Sequence, residues 1–70
     1  MLNDNDSFFK LPIVQQARRL YLEGTFVVSI RYYGYKINLY LYKDEYVEVF
    51  YNHKLDLVEK IQLMDYQHTR

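Results

Sequence analysis

Three runs of alternating apolar and polar residues fill the middle of the chain, between Thr25 and Tyr51. Successive side chains of a strand point to opposite faces, so each alternation shows which set is buried. In the first run Phe26, Val28, Ile30 and Tyr32 share a face. In the second Tyr35, Ile37, Leu39 and Leu41 do so, with Lys36 and Asn38 opposite; in the third Val47, Val49 and Tyr51 do so, with Glu48 opposite. β-branched and aromatic residues dominate all three, as a pleated, half-buried surface favours. The pattern predicts an antiparallel meander.

Parity restricts the turns, because a one-residue slip sends a whole apolar set to water. A two-residue first connection pairs Ile30 with Ile37 or Leu39, and Gly34 suits it by supplying a positive φ. The second connection calls for an odd loop, Lys43-Asp44-Glu45, which sets Leu41 against Val47 and Leu39 against Val49.

Upstream the period changes. Ile13, Val14, Ala17, Leu20 and Tyr21 form one helical stripe, with Gln15, Gln16, Arg18, Arg19 and Glu23 on the other side. The predicted helix runs from Pro12, at its first position, to Glu23, with Gly24 as a left-handed cap. Its stripe covers the apolar sheet face. Ahead of it Asn3, Asp4, Asn5 and Asp6 make a loose, turn-prone start, and Phe8 and Phe9 tuck over one edge of the core. A helix running on through them would trap Pro12 in its interior.

Residues 57–64 read two ways. Leu57, Val58, Ile61 and Met64 are helix-spaced, with Asp56 and Glu59 as a capping box. A turn over Lys54 to Asp56 instead makes a fourth strand that places Val49 beside Ile61 and Val47 beside Leu63, and this reading joins a register already set. The expected fold is α+β: one N-terminal helix packed on a three- or four-stranded antiparallel β-meander. A single domain spans 1–70, with 1–10 and 66–70 loosely ordered.

Composition sharpens this picture. Seventy residues bury only about 60% of the surface that the unfolded chain exposes, so stability is thin and burial against a second copy becomes attractive. With no cysteine, disulfides and thiolate metal sites are excluded. Nine basic residues balance nine acidic ones, which argues against duplex nucleic acid or an anionic membrane as partner. No apolar run is long enough to span a bilayer, and no basic-then-apolar leader is visible, so the expected location is cytoplasmic.

No catalytic constellation emerges, and the chain is expected not to be an enzyme. His53 and His68 are the only histidines, lack ligand spacing, and read as solvent-exposed. Asp44 and Glu45 suit a turn, while Glu48 and Glu59 are not held across a cleft as paired acid–base work needs. Ser7 and Ser29 have no histidine partner in a recognisable motif, and Gly24 and Gly34 cannot build a phosphate loop. No metal, cofactor or small-molecule substrate is indicated.

The aromatic residues say more. Nine tyrosines and four phenylalanines make up 19% of the chain, and parity places Tyr33, Tyr40, Tyr42, Tyr46 and Phe50 on the outer face with Arg31, Val27, Lys36 and Asn38. Partly exposed tyrosines that stiffen a sheet are one explanation of such a patch. A protein interface, most simply a homodimer, is another. Base stacking of single-stranded nucleic acid beside Arg31 and Lys36 is a third, although no RNP-type sequence is present. The function expected is protein interaction or self-association through Arg31, Tyr33, Tyr40, Tyr42, Tyr46 and Phe50, with single-stranded nucleic-acid binding as the alternative.

Overall fold

A computed structural model describes residues 6–64. A helical turn α1 (Asp6–Phe9) and a helix α2 (Ile13–Glu23) precede β1 (Thr25–Tyr32), β2 (Tyr35–Tyr42), β3 (Glu45–Asn52) and β4 (Leu57–Leu63). The four strands form one antiparallel sheet in the order β1-β2-β3-β4. This is the expected α+β meander with its N-terminal helix, and the fourth element is a strand.

Within the start expected to be loose, α1 forms over Asp6–Phe9. Phe8 is buried and its ring lies 5.0 Å from that of Tyr42. Residues 1–5 and the tail from 65, which holds His68, lie outside the described residues. Pro12 stands at the N-cap in an extended conformation (φ −56°, ψ 149°), one place earlier than expected. It separates α1 from α2, as its missing N–H and its ring require.

Buried Gln16 bridges that break. Its Nε2 donates to the carbonyls of Leu11 at 2.8 Å and Phe9 at 3.3 Å, supplying donors for carbonyls that an interrupted helix leaves open. The inward stripe of α2 is therefore the buried Gln16 and Leu20 with the half-buried Ile13 and Ala17, while Val14 and Tyr21 are 75% and 77% exposed. The stripe is rotated from the expected one because Gln16 is drawn inward by those carbonyls. Gly24 is extended, not left-handed (φ −84°). Glycine is needed there for space: a Cβ would lie 2.8 Å from the Leu20 carbonyl oxygen.

The first hairpin pairs Ile30 with Ile37, as parity required. Its positive φ, however, falls on Tyr33 (56°) and not on Gly34. The second connection differs from expectation. Tyr42 pairs with Glu45 across a two-residue turn, in which Lys43 (φ 49°) and Asp44 (φ 67°) both adopt positive φ. Such a turn matches the twist of its strands, and it shifts the parity of β2 against β3. Leu39 faces Glu48 and Leu41 faces Tyr46, while Tyr40 faces Val47. The last hairpin keeps Val49 beside Ile61 and Val47 beside Leu63.

The apolar side of the sheet consequently changes over between β2 and β3. On the helix side, β3 and β4 supply Val47, Val49, Val58 and Ile61, joined by Tyr40 and Tyr42; these pack with Phe8 and Leu20 in the buried cluster. Farther out on that side, β1 and β2 carry Ser29, Arg31, Lys36 and Asn38. On the outer side the polarity is reversed.

Candidate functional site

Register assembles the outer face in rows. Val28, Leu39, Glu48 and Gln62 form one; Ile30, Ile37, Phe50 and Lys60 the next; Tyr32, Tyr35, Asn52 and Leu57 the third, nearest the first turn. The β1–β2 half is thus apolar, while the β3–β4 half mixes the polar Glu48, Asn52, Lys60 and Gln62 with Phe50 and Leu57. Val28, Ile30 and Tyr32 remain 42%, 50% and 56% exposed. Every residue of β1 is exposed, since it is also an edge strand.

The six residues expected to form an interaction face are divided by this arrangement. Phe50 and Tyr46 lie on the outer face, half-buried. Tyr33 sits in the first turn, exposed, with its ring edge-on to Tyr32 at 4.6 Å. Arg31 is across the sheet, opposite Lys36. Tyr42 is buried in the core, and Tyr40 packs against the core with its ring 5.7 Å from Phe26. The two-residue second turn is the physical cause, because it sends the even-numbered residues of β2 beneath the helix. Of the rings expected to stack bases, Tyr42 is buried, Tyr40 packs against the core on the same side as Arg31 and Lys36, and Phe50 lies on the opposite side of the sheet from those two cations.

In their place the outer face presents Val28, Ile30, Ile37, Leu39 and Leu41, all expected in the core. The tail of β2 reads Leu39-Tyr40-Leu41-Tyr42, apolar at every position, so either parity buries something suitable. A turn that admits two residues was the remaining signal.

At the turn end of the face, all four strands contribute to a hollow of about 360 Å³ lined by Tyr32, Tyr35, Phe50, Glu59 and Lys60. The rings of Tyr35 and Phe50 stand nearly perpendicular, at 79° with centroids 6.1 Å apart. The register of β4 shifts opposite Phe50 and Tyr51, leaving Glu59 as an extra residue between the partnered Val58 and Lys60. Both Glu59 and Lys60 reach the hollow. The Tyr35 hydroxyl donates to Glu59 Oε1 at 2.6 Å and Asn52 Nδ2 donates to Oε2 at 3.2 Å. The hydrogen bond to Glu59 raises the Tyr35 pKa above the ordinary phenol value. Lys60 Nζ stands 4.5 Å from the centre of the Phe50 ring.

Elsewhere, His53 is exposed, its amide donates to the Gly34 carbonyl, and its ring lies 5.2 Å from Tyr51. Tyr51 donates its hydroxyl to Asp56, which raises the Tyr51 pKa. Among the described residues no group of three His, Cys, Asp or Glu could hold a metal ion, and no helix is long and apolar enough to cross a membrane. Comparison with protein-family models, with curated proteins and with solved structures gave no significant match to this chain.

Proposed function

We propose that this chain is a non-catalytic self-association module whose outer sheet face packs on that of a second copy. The observation that carries the reading is the change of apolar side across the sheet. One helix covers the apolar half on β3–β4, and the apolar half on β1–β2 has no cover among the described residues. Among the described residues only Phe8, Leu20, Tyr42, Val47 and Val49 form the buried apolar cluster. A small domain with so little interior gains from further burial.

A second copy fits in size and charge. Four strands about 4.8 Å apart, three of eight residues and one of seven, at about 3.3 Å per residue project roughly 500 Å² per copy. Two such faces reach about 1,000 Å², the lower bound for a specific interface. The formal net charge is zero, so no long-range repulsion keeps copies apart. Glu48, Glu59 and Lys60 put both signs on the polar half, which a two-fold contact can set against each other. Pairing through the β1 edge is the competing geometry, but the irregularity between Phe26 and Val28 interrupts that edge and Arg31 adds charge to it.

Sedimentation from low-micromolar to millimolar concentration tests this. Wild type is expected to shift from monomer to dimer, and Ile30→Asp to remain a folded monomer. Val14→Asp, on the exposed side of α2, is the control and is expected to dimerise as wild type does. Ile37→Ser, on an inner strand, breaks a face contact and spares an edge contact. A wild type that stays monomeric throughout, or an Ile30→Asp variant that associates unchanged, refutes the reading.

A further inference from the structure

We propose that the hollow at the turn end of the outer face binds an alkylammonium cation, of the kind carried by a methylated lysine side chain or by a free quaternary ammonium compound. The site is built within one chain, but it lies on the face that the proposed dimer would cover, so a cation and a second copy compete for it and binding is read on the monomeric chain.

Its construction follows from the strands. Tyr32 and Tyr35 flank the two-residue first turn and are direct cross-strand partners. Tyr35 and Phe50 give two nearly perpendicular aromatic walls. Aromatic rings carry negative potential on their faces, and walls set at an angle surround a soft cation better than one ring does. A volume of about 360 Å³ lies at the small end of ligand-site sizes and suits a single ammonium group.

The carboxylate is the second independent feature. In a regular β4, alternation would turn Glu59 to the side opposite Lys60. The irregularity opposite Phe50 and Tyr51 turns both to the same hollow, and bulges of this kind re-aim side chains beside functional sites. Tyr35 and Asn52 each hold one Glu59 oxygen. The Glu59 carboxylate has further lone pairs to offer a cation at the rim.

Lys60 shows what the site attracts. Its ammonium already stands 4.5 Å from the Phe50 ring centre, where an incoming cation would gain most. The side chain is exposed and flexible, so a ligand displaces it into water at small cost. Lys60 is thus a resident competitor, and removing it should tighten binding.

The test uses choline and its neutral isostere 3,3-dimethyl-1-butanol as probes of the full chain, read by NMR shifts of the tyrosine and phenylalanine ring protons. Choline is expected to bind and the isostere not to, because only the former carries charge. Glu59→Gln and Phe50→Leu should each weaken choline by about tenfold, the size of one desolvated cation–aromatic or cation–carboxylate contact. Lys60→Ala should strengthen it, a gain that misfolding cannot mimic. A parallel arm uses a short peptide bearing trimethyllysine against the same peptide with norleucine. Binding of the trimethyllysine peptide more tightly than choline assigns the cation to a polypeptide; equal binding assigns it to a free compound. Equal response to choline and its isostere, no response to either, or a Lys60→Ala variant with unchanged affinity overturns the proposal.

Discussion

Replacing Tyr42 by alanine tests the register on which every later step depends. The Tyr42 ring is buried, in contact with Phe8 and beneath α2. A buried aromatic truncated to alanine costs about 3–5 kcal/mol through lost transfer energy and the cavity left behind. The whole stability expected for a chain of this length is about 4–10 kcal/mol. Leu41, its neighbour, points outward and is half-buried, so Leu41→Ala should cost about 1 kcal/mol, half the value of a fully buried leucine. A three-residue second turn would reverse the order, with Leu41 in the core opposite Val47.

Urea unfolding followed by circular dichroism distinguishes the two. With a slope near 1 kcal/mol/M, as small domains show, Tyr42→Ala lowers the midpoint by about 3 M or more and Leu41→Ala by about 1 M. Low-micromolar protein keeps self-association out of the comparison. Tyr42→Phe adds a finer check. The Tyr42 hydroxyl is buried and makes no hydrogen bond of good geometry among the described residues, though it approaches Arg19 closely enough to raise the Arg19 pKa. Deleting it should therefore leave stability within about 1 kcal/mol of wild type. A Leu41→Ala variant less stable than Tyr42→Ala would refute the two-residue turn, and with it the outward face of β1 and β2.

Two further outcomes follow from local geometry. Asp44→Gly relieves a side chain held at φ 67° and should stabilise the chain by about 0.5–1 kcal/mol in the same assay; a loss would mean that the Asp44 side chain contributes more than its strain costs. Alkaline unfolding reports on Tyr35 and Tyr51, whose pKa values are raised by hydrogen bonds to Glu59 and Asp56. A raised folded pKa gives stability that is present below the unfolded value of about 10 and lost as pH rises through the folded one. The Tyr35→Phe, Tyr51→Phe double variant should lose less stability than wild type across that window, and an identical decline would exclude the two hydrogen bonds.

Much of the fold was legible because long alternating runs leave few choices. Ile30 opposite Ile37, Val49 beside Ile61 and Val47 beside Leu63 all follow from period and parity. The helix was legible from Pro12, its apolar spacing and Gly24. The face of that helix was not, because burial of Gln16 depends on the Phe9 and Leu11 carbonyls, which only the fold brings within reach. The second turn was harder still. Lysine and aspartate do not advertise a positive φ, and β2 is apolar on both alternations near that turn, so burial alone cannot choose between two residues and three.

That single ambiguity governs the candidate site. Parity assigned Tyr40 and Tyr42 to the surface and Leu39 and Leu41 to the core, and the shorter turn exchanges them. Tyrosine tolerates the exchange because its ring packs as well against Phe8 and Leu20 as a leucine would, while leucine and isoleucine gain nothing from water. Their exposure on β1 and β2 is therefore the costlier half of the exchange, and it is this cost that a second copy would remove. The hollow was beyond reach for a different reason. It requires Glu59 and Lys60, adjacent in sequence, to share a face, which strict alternation forbids. Only the irregularity opposite Phe50 and Tyr51 allows it, and no glycine or proline at Val58, Glu59 or Lys60 marks the place. A residue that restored regular alternation there would remove the carboxylate from the aromatic walls while leaving every ring where it is. The site therefore depends on the backbone of β4 as much as on its side chains.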